Sequence, residues 1–154
     1  INVLDLVSNN DPNFKKIVYS ALPFTDYLLL NEIEAQLLFN KKVIKSNNTM
    51  DRKLIRSLSK KVFQKGLQKA IIIHSPKESL YLSRNKIYHT KSLNVPKQQI
   101  KNSVGAGDAF CASFLYGIHE NWNIQKTLIK SHAAGAAMMK IDASSGYLPN
   151  INKL

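Results

Sequence analysis

A single cysteine, Cys111, is all the thiol chemistry the chain contains. It excludes an internal disulfide and suits a reducing compartment, so a cytoplasmic location is expected. Long apolar runs are missing as well. Stretches such as Leu28-Leu29-Leu30 or Ala70-Ile71-Ile72-Ile73 are as far as they go, whereas a membrane-spanning helix needs about 20 residues. No membrane partner is therefore expected. The N-terminus has no basic segment followed by an apolar region and a small-residue cleavage site. Internal repeats and low-complexity tracts are lacking too. Acids are few: 10 Asp and Glu stand against 22 Lys and Arg, a formal net charge of +12. Such an excess draws anions in general, whether nucleotides, sugar phosphates or nucleic acids. Arginine, the usual reader of base edges and bidentate phosphates, supplies only 3 of the 22 cations. That scarcity speaks against a sequence-specific DNA binder. Lys, Asn and Ile are all abundant, so genome composition accounts for part of the charge.

What remains is an ordinary globular composition, 44% hydrophobic and 21% charged over 154 residues, which argues against disorder. This length predicts one domain that buries about two-thirds of its unfolded surface. The chain begins at Ile1, inside an expected strand, and so reads as a fragment or a processed product of something larger.

Residues 1–7 read as a strand, and Ser8 to Asn13 as a loop around Asp11-Pro12. Apolar positions at 14, 17, 18, 21 and 22 predict a helix that Pro23 stops. Tyr27 to Leu30 is a short apolar strand suited to the middle of a parallel sheet. Asn31 then opens a helix to about Phe39, with Glu32 and Glu34 in its first turn. Residues 40–50 read as a polar loop. Thr49 or Asp51 could cap a helix running to Lys65, closed by Gly66. Lys69 to His74 is a second buried strand. Ser79 to Leu82 and Ile87 to Thr90 flank Arg84-Asn85 as a hairpin. Helices are expected at Gly107–His119 and Ile124–Lys140, the latter with a small-residue face from Ala133 to Ala137. The alternation predicts an α/β three-layer sandwich with a largely parallel sheet. Ligands of such sheets bind beyond the carboxyl ends of the strands, and Asn31 stands just past one of them.

The chemistry concentrates in Asn102-Ser103-Val104-Gly105-Ala106-Gly107-Asp108-Ala109-Phe110. Gly105 and Gly107 permit positive φ and close approach of a ligand. Backbone amides can then converge on one anion site at a helix N-terminus. An aspartate beside such a site fits a general base next to a transferring phosphoryl group. The same pattern fits a glycine turn whose Asp merely caps the helix. No Walker loop is formed, since Gly-Lys-Ser/Thr does not follow.

Val104 to Phe110 resembles the C-terminal signature of ribokinase-like (PfkB-type) carbohydrate kinases. Asp26 to Ala35 resembles that family's strand followed by its Asn-x-x-Glu element, here Asn31 and Glu34. The two motifs stand in the family's order and at its approximate separation, and the alanine-rich helix and the Ser145-Gly146 turn fit as well. The resemblance covers nearly the whole chain but only the C-terminal half of the family's length. It implies that residues 1–154 form the nucleotide-binding, catalytic half, with the N-terminal sugar-binding half and its lid absent. It implies transfer of the ATP γ-phosphoryl group to a hydroxyl of a sugar-like substrate. Asp108 would be the base, and the amides of Gly105, Ala106 and Gly107 the anion hole. Asn31 and Glu34 would hold Mg²⁺ through water, and His74, His132 and Gly135 would line the nucleotide.

Two departures stand out. Asn102-Ser103-Val104 replaces the family's frequent Asp-Thr-Thr, which puts activation by a monovalent cation in doubt. His74-Ser75-Pro76-Lys77-Glu78-Ser79 replaces a Thr-x-Gly-x-x-Gly turn, so any nucleotide contact there is arranged differently. His74 could equally be structural, Glu34 a solvated first-turn carboxylate, and the small residues around His132 and Gly135 helix packing. Cys111 reads as a buried small hydrophobe, and His89 and His119 carry no partner signal. The expected partners are ATP and a small sugar-like molecule, with no nucleic acid. A homo-oligomer or a missing N-terminal half stays open. So do two other readings: a truncated relative that binds nucleotide without catalysis, and a basic nucleic-acid-binding domain.

Overall fold

The computed structural model describes residues 1–8, 11–142 and 150. Two compact units divide the chain, Ile1–His89 and Thr90–Leu154. Five strands form one sheet in sequence order: β1 (Val3–Asp5), β2 (Tyr27–Asn31), β3 (Ala70–His74), β4 (Glu78–Ser83) and β5 (Ile87–Lys91). β1, β2 and β3 are parallel, with Val3 opposite Tyr27 and Asn31 opposite His74. β4 returns antiparallel to β3. Leu28, Leu29, Leu30, Ile71, Ile72 and Ile73 are all completely buried. Strands covered on both faces need an unbroken apolar run rather than alternation, which is what these two segments are. Each such side chain contributes roughly 1.5–3 kcal/mol on burial.

In the first unit, α1 (Phe14–Ala21) ends just ahead of Pro23, as expected. The chain passes directly into a 3₁₀ turn at Leu22–Phe24 with the proline in its opening positions, where its missing N–H costs no hydrogen bond. α2 covers Glu32–Phe39 and α3 covers Arg52–Gln64. Of the two candidate caps for α3 it is Asp51 that serves, its carboxylate accepting the Leu54 amide at 3.0 Å. Gly66 follows at φ +111°. Residues 40–50 are more ordered than a polar loop. Ile44 and Met50 form a β-bridge, and Val43 and Met50 are buried in the core with Ile55, Val62 and Leu67. Isolated apolar residues among Lys and Asn give no periodic signal, which is why the sequence hides this.

In the second unit, a 3₁₀ turn at Lys97–Gln99 precedes α4 (Ala106–His119) and α5 (Ile124–Met138). The helices pack closely. A Cβ placed on Gly117 would lie 2.7 Å from the Thr127 side chain. The segment entering α4 is tied to the end of α5 by the Lys101 amide to the Met139 carbonyl and by Asn102 Nδ2 to the Ile141 carbonyl, both 2.9 Å. The expected Ser145-Gly146 turn lies outside the described residues. Among those residues, no helix is long and apolar enough to cross a membrane. The architecture is the predicted α/β class with a largely parallel sheet.

Candidate active site

Asn31 ends β2 and caps α2. Its Oδ1 accepts the amides of Ile33 and Glu34, both at 2.9 Å. Glu34 answers from the third helical position: its Oε2 accepts the Asn31 amide and its Oε1 accepts Asn31 Nδ2, both at 2.8 Å. This is a complete capping box. Ser8, just past β1, joins it, its hydroxyl donating to Glu34 Oε1 at 3.1 Å and accepting from Asn31 Nδ2 at 3.3 Å. Glu34 is 3% exposed, so it is not a solvated carboxylate. Burial pushes its carboxyl above the usual range; the Asn31 amide and the Ser8 hydroxyl pull the other way, and Asp5 and Glu32 add to the rise.

His74 closes β3 directly opposite Asn31 in the parallel register. Burial holds its imidazole down at about 4, so it is neutral at physiological pH. Asn31, Glu34 and His74 are thus gathered at the carboxyl edge of one parallel pair, where such sheets bind ligands. The turn after His74 has no glycine, and Ser75 builds it instead. Ser75 Oγ accepts the Lys77 and Glu78 amides at 3.3 and 3.2 Å and donates to the Glu78 carbonyl at 3.0 Å.

The second unit gathers the other predicted residues. Gly105 stands at the N-cap of α4 with φ +79° and ψ −6°, a left-handed conformation that a Cβ would strain. Asn102 shapes the approach, its Oδ1 accepting the Val104 amide at 2.8 Å. The Ala106 amide leans back on the Ser103 carbonyl at 3.3 Å. Among the described residues, the amides of Gly105 and Gly107 have no backbone acceptor, as first-turn amides do not. Asp108 follows in the first turn, exposed. It makes no cap for the helix, and among the described residues it has no hydrogen bond or ion pair. The plain capping reading of Asp108 therefore has no bond to support it.

α5 backs this turn. A Cβ on Gly135 would meet the Ala106 carbonyl at 3.1 Å, so glycine is what lets α5 approach the start of α4. His132 is buried and packs edge-on against Phe110, with centroids 5.1 Å apart at 73°. Both residues lie in the packing of α5 against α4.

One cluster escaped the sequence. Glu78, 2% exposed, accepts the Met50 amide at 2.5 Å and Arg52 Nη2 at 3.0 Å, and also meets His89 Nε2. Burial pushes the Glu78 carboxyl up, but the Met50, Arg52 and His89 donors outweigh it and hold it below the usual carboxylate range. His89, which carries no signal in the sequence, meets both Glu78 and Arg52 through its Nε2. Its partners lie 11 and 37 positions away, a separation that no periodicity marks.

Comparison with known proteins identifies the family and the fold. The pfkB family of carbohydrate kinases matches residues 1–148. Adenosine kinase of Schizosaccharomyces pombe is 26% identical over 136 residues, covering 88% of this chain and 40% of that protein. A 5-dehydro-2-deoxygluconokinase of Clostridium beijerinckii is 31% identical over 88 residues, covering 56% of this chain and 25% of its own length. Among solved structures, adenosine kinase from Sinorhizobium meliloti superposes with a TM-score of 0.77 at 14% identity, over 95% of this chain and 41% of that one. The fold is shared with these kinases, and the chain spans well under half of their length.

Proposed function

We propose, on the premise that the chain belongs to the pfkB family of carbohydrate kinases, that it supplies the nucleotide-binding and phosphoryl-transfer part of an enzyme acting on a hydroxyl of a sugar or sugar-like molecule. One observation carries this reading beyond the family. α4 opens on a left-handed Gly105 and carries in its first turn an exposed carboxylate, Asp108, that makes no hydrogen bond among the described residues.

In this reading Asp108 accepts the proton of the substrate hydroxyl. The hydroxyl oxygen bonds to the γ-phosphorus, the bond to the β,γ-bridging oxygen breaks, and ADP leaves. Amides of the 105–107 turn receive the charge of the transferring group, where preorganised donors are worth roughly 3–4 kcal/mol each. Gly135 keeps that turn in place by letting α5 approach it. His74, a neutral imidazole at the sheet edge, is suited to lie against an uncharged part of the nucleotide.

The family implies Mg²⁺. Asn31 and Glu34 offer oxygen, the donor type this ion takes. The Glu34 carboxylate already accepts three hydrogen bonds, so it would hold the ion through water. When bound, Mg²⁺ neutralises charge on the triphosphate. A monovalent cation fits less well. Asn102, in place of the family's acid, brings no charge, and its carboxamide is already engaged with Val104 and Ile141.

Titration calorimetry tests the reading. The chain is expected to bind Mg-ATP weakly, in the millimolar range, and to release little or no ADP with any sugar. No binding at millimolar Mg-ATP counts against it. Sugar-dependent ADP release by this chain alone overturns the claim that it is one part of the machinery.

A further inference from the structure

Ser8 takes no part in the proposed phosphoryl transfer, yet it completes the Asn31–Glu34 pair. It reaches the pair from the segment just past β1, 23 positions from Asn31 and 26 from Glu34. Its hydroxyl donates to Glu34 Oε1 at 3.1 Å and accepts from Asn31 Nδ2 at 3.3 Å. Ser8 itself is exposed, whereas Glu34 is buried. All three residues belong to the first unit.

The Asn31 carboxamide is fully engaged. Its Nδ2 donates to Glu34 Oε1 and to Ser8, and its Oδ1 takes the Ile33 and Glu34 amides, which fills that oxygen's lone pairs. Glu34 Oε1 takes Asn31 Nδ2 and Ser8, and Oε2 takes the Asn31 amide. Of the roughly four acceptor positions of a carboxylate, the described residues leave one, on Oε2. One acceptor can hold a water of a hydrated ion. It cannot supply the several direct oxygens that Ca²⁺ takes, whereas Mg²⁺ dehydrates reluctantly and keeps several of its own waters.

We propose that Ser8 is a specificity-determining residue for the cation: by filling Oε1 of Glu34 it leaves the Asn31–Glu34 pair able to hold only a cation that keeps its water shell. The inference rests on the proposed Mg²⁺ role of this pair and adds selection against cations that bind by shedding water. Without the hydroxyl, Oε1 is open to a direct bond. The charge balance makes such binding readable, because a net charge of +12 repels cations from the rest of the surface.

The ¹⁵N-labelled chain is titrated with Mg²⁺, with Ca²⁺ and with hexaamminecobalt(III), whose ammonia shell does not exchange and which therefore binds only through that shell. The amides of Asn31, Ile33 and Glu34 report on the pair. In the parent, Mg²⁺ should shift these amides saturably, hexaamminecobalt(III) should displace it, and Ca²⁺ should bind no more tightly than Mg²⁺. Ser8→Ala should bind Ca²⁺ about tenfold tighter than the parent, the scale of one added bond to a charged group, with Mg²⁺ affinity changed far less. Ser8→Thr keeps the hydroxyl and should behave as the parent. A Ser8→Ala chain with the parent's preference between Ca²⁺ and Mg²⁺, or a Ser8→Thr chain that matches Ser8→Ala, overturns the inference and leaves the ion role of the pair standing. So does a parent that binds Mg²⁺ but not hexaamminecobalt(III). A parent in which none of the cations moves these amides overturns the ion role as well.

Discussion

Glu34 and Asp108 sit at the same position, third in the first turn of a helix, and their surroundings set them to different tasks. Glu34 follows a cap with a side chain, Asn31, and closes a reciprocal box with it. Asp108 follows Gly105, which has no side chain to offer, and its carboxylate remains outside any box. In the whole kinase, Asp108→Asn is expected to lower kcat about 10²–10⁴-fold, the range for loss of a general base. ATP affinity and melting temperature should hardly move. A kcat loss below about fivefold, with stability reduced by about 1 kcal/mol as for a lost cap, would make Asp108 structural. Asn31→Ala should cost about 1–2 kcal/mol of stability as a lost cap, read by denaturant unfolding, and weaken Mg-ATP binding as well. His74 adds a pH signature. Its imidazole is depressed to about 4 in the fold against 6.5 when unperturbed, so the unfolded chain binds the extra proton first. Stability from the buried neutral ring is complete above pH 6.5 and is lost as pH falls toward 4. Melting temperature over this range should fall more steeply for the parent than for His74→Gln. The glycine–aspartate motif was legible because its residues are contiguous. The Glu78 cluster was not, because Arg52, Glu78 and His89 meet only through the fold.

Among the helices, the start of α4 carries the proposed phosphate site. Gly105→Ala should cost about 1–2 kcal/mol through the left-handed backbone alone. Gly135→Ala acts from the other helix, forcing its new methyl against the Ala106 carbonyl. It is expected to cost about 1–3 kcal/mol as overpacking and to weaken nucleotide binding, both checked by a melt and a titration on one sample. A variant that melts lower and binds normally would make Gly135 a packing residue only. β2 and β3 were readable as short apolar runs, and α3 as an amphipathic stripe. The 43–50 bridge and the two 3₁₀ turns were not: Val43 and Met50 are isolated among polar neighbours, and each turn is only three residues long. The small-residue face of α5 was visible. That Gly135 uses it to reach the first turn of α4 required coordinates.

For the whole molecule, the net charge of +12 is expected to serve anionic small molecules and not nucleic acid. Lysine dominates it, and no aromatic residues interleave with a basic stripe. Sub-micromolar binding of DNA or RNA at physiological salt, falling steeply with added salt, would contradict this. The central claim is that the start of α4 receives the phosphates of a nucleotide. Its most direct test is a titration of the ¹⁵N-labelled chain with a non-hydrolysable Mg-ATP analogue, following each backbone amide. Saturable shifts are expected in the millimolar range, largest at Gly105, Gly107 and Asp108 and lost in Gly105→Ala. Shifts spread evenly over the lysine-rich surface, or none at Gly105 and Gly107, would contradict it.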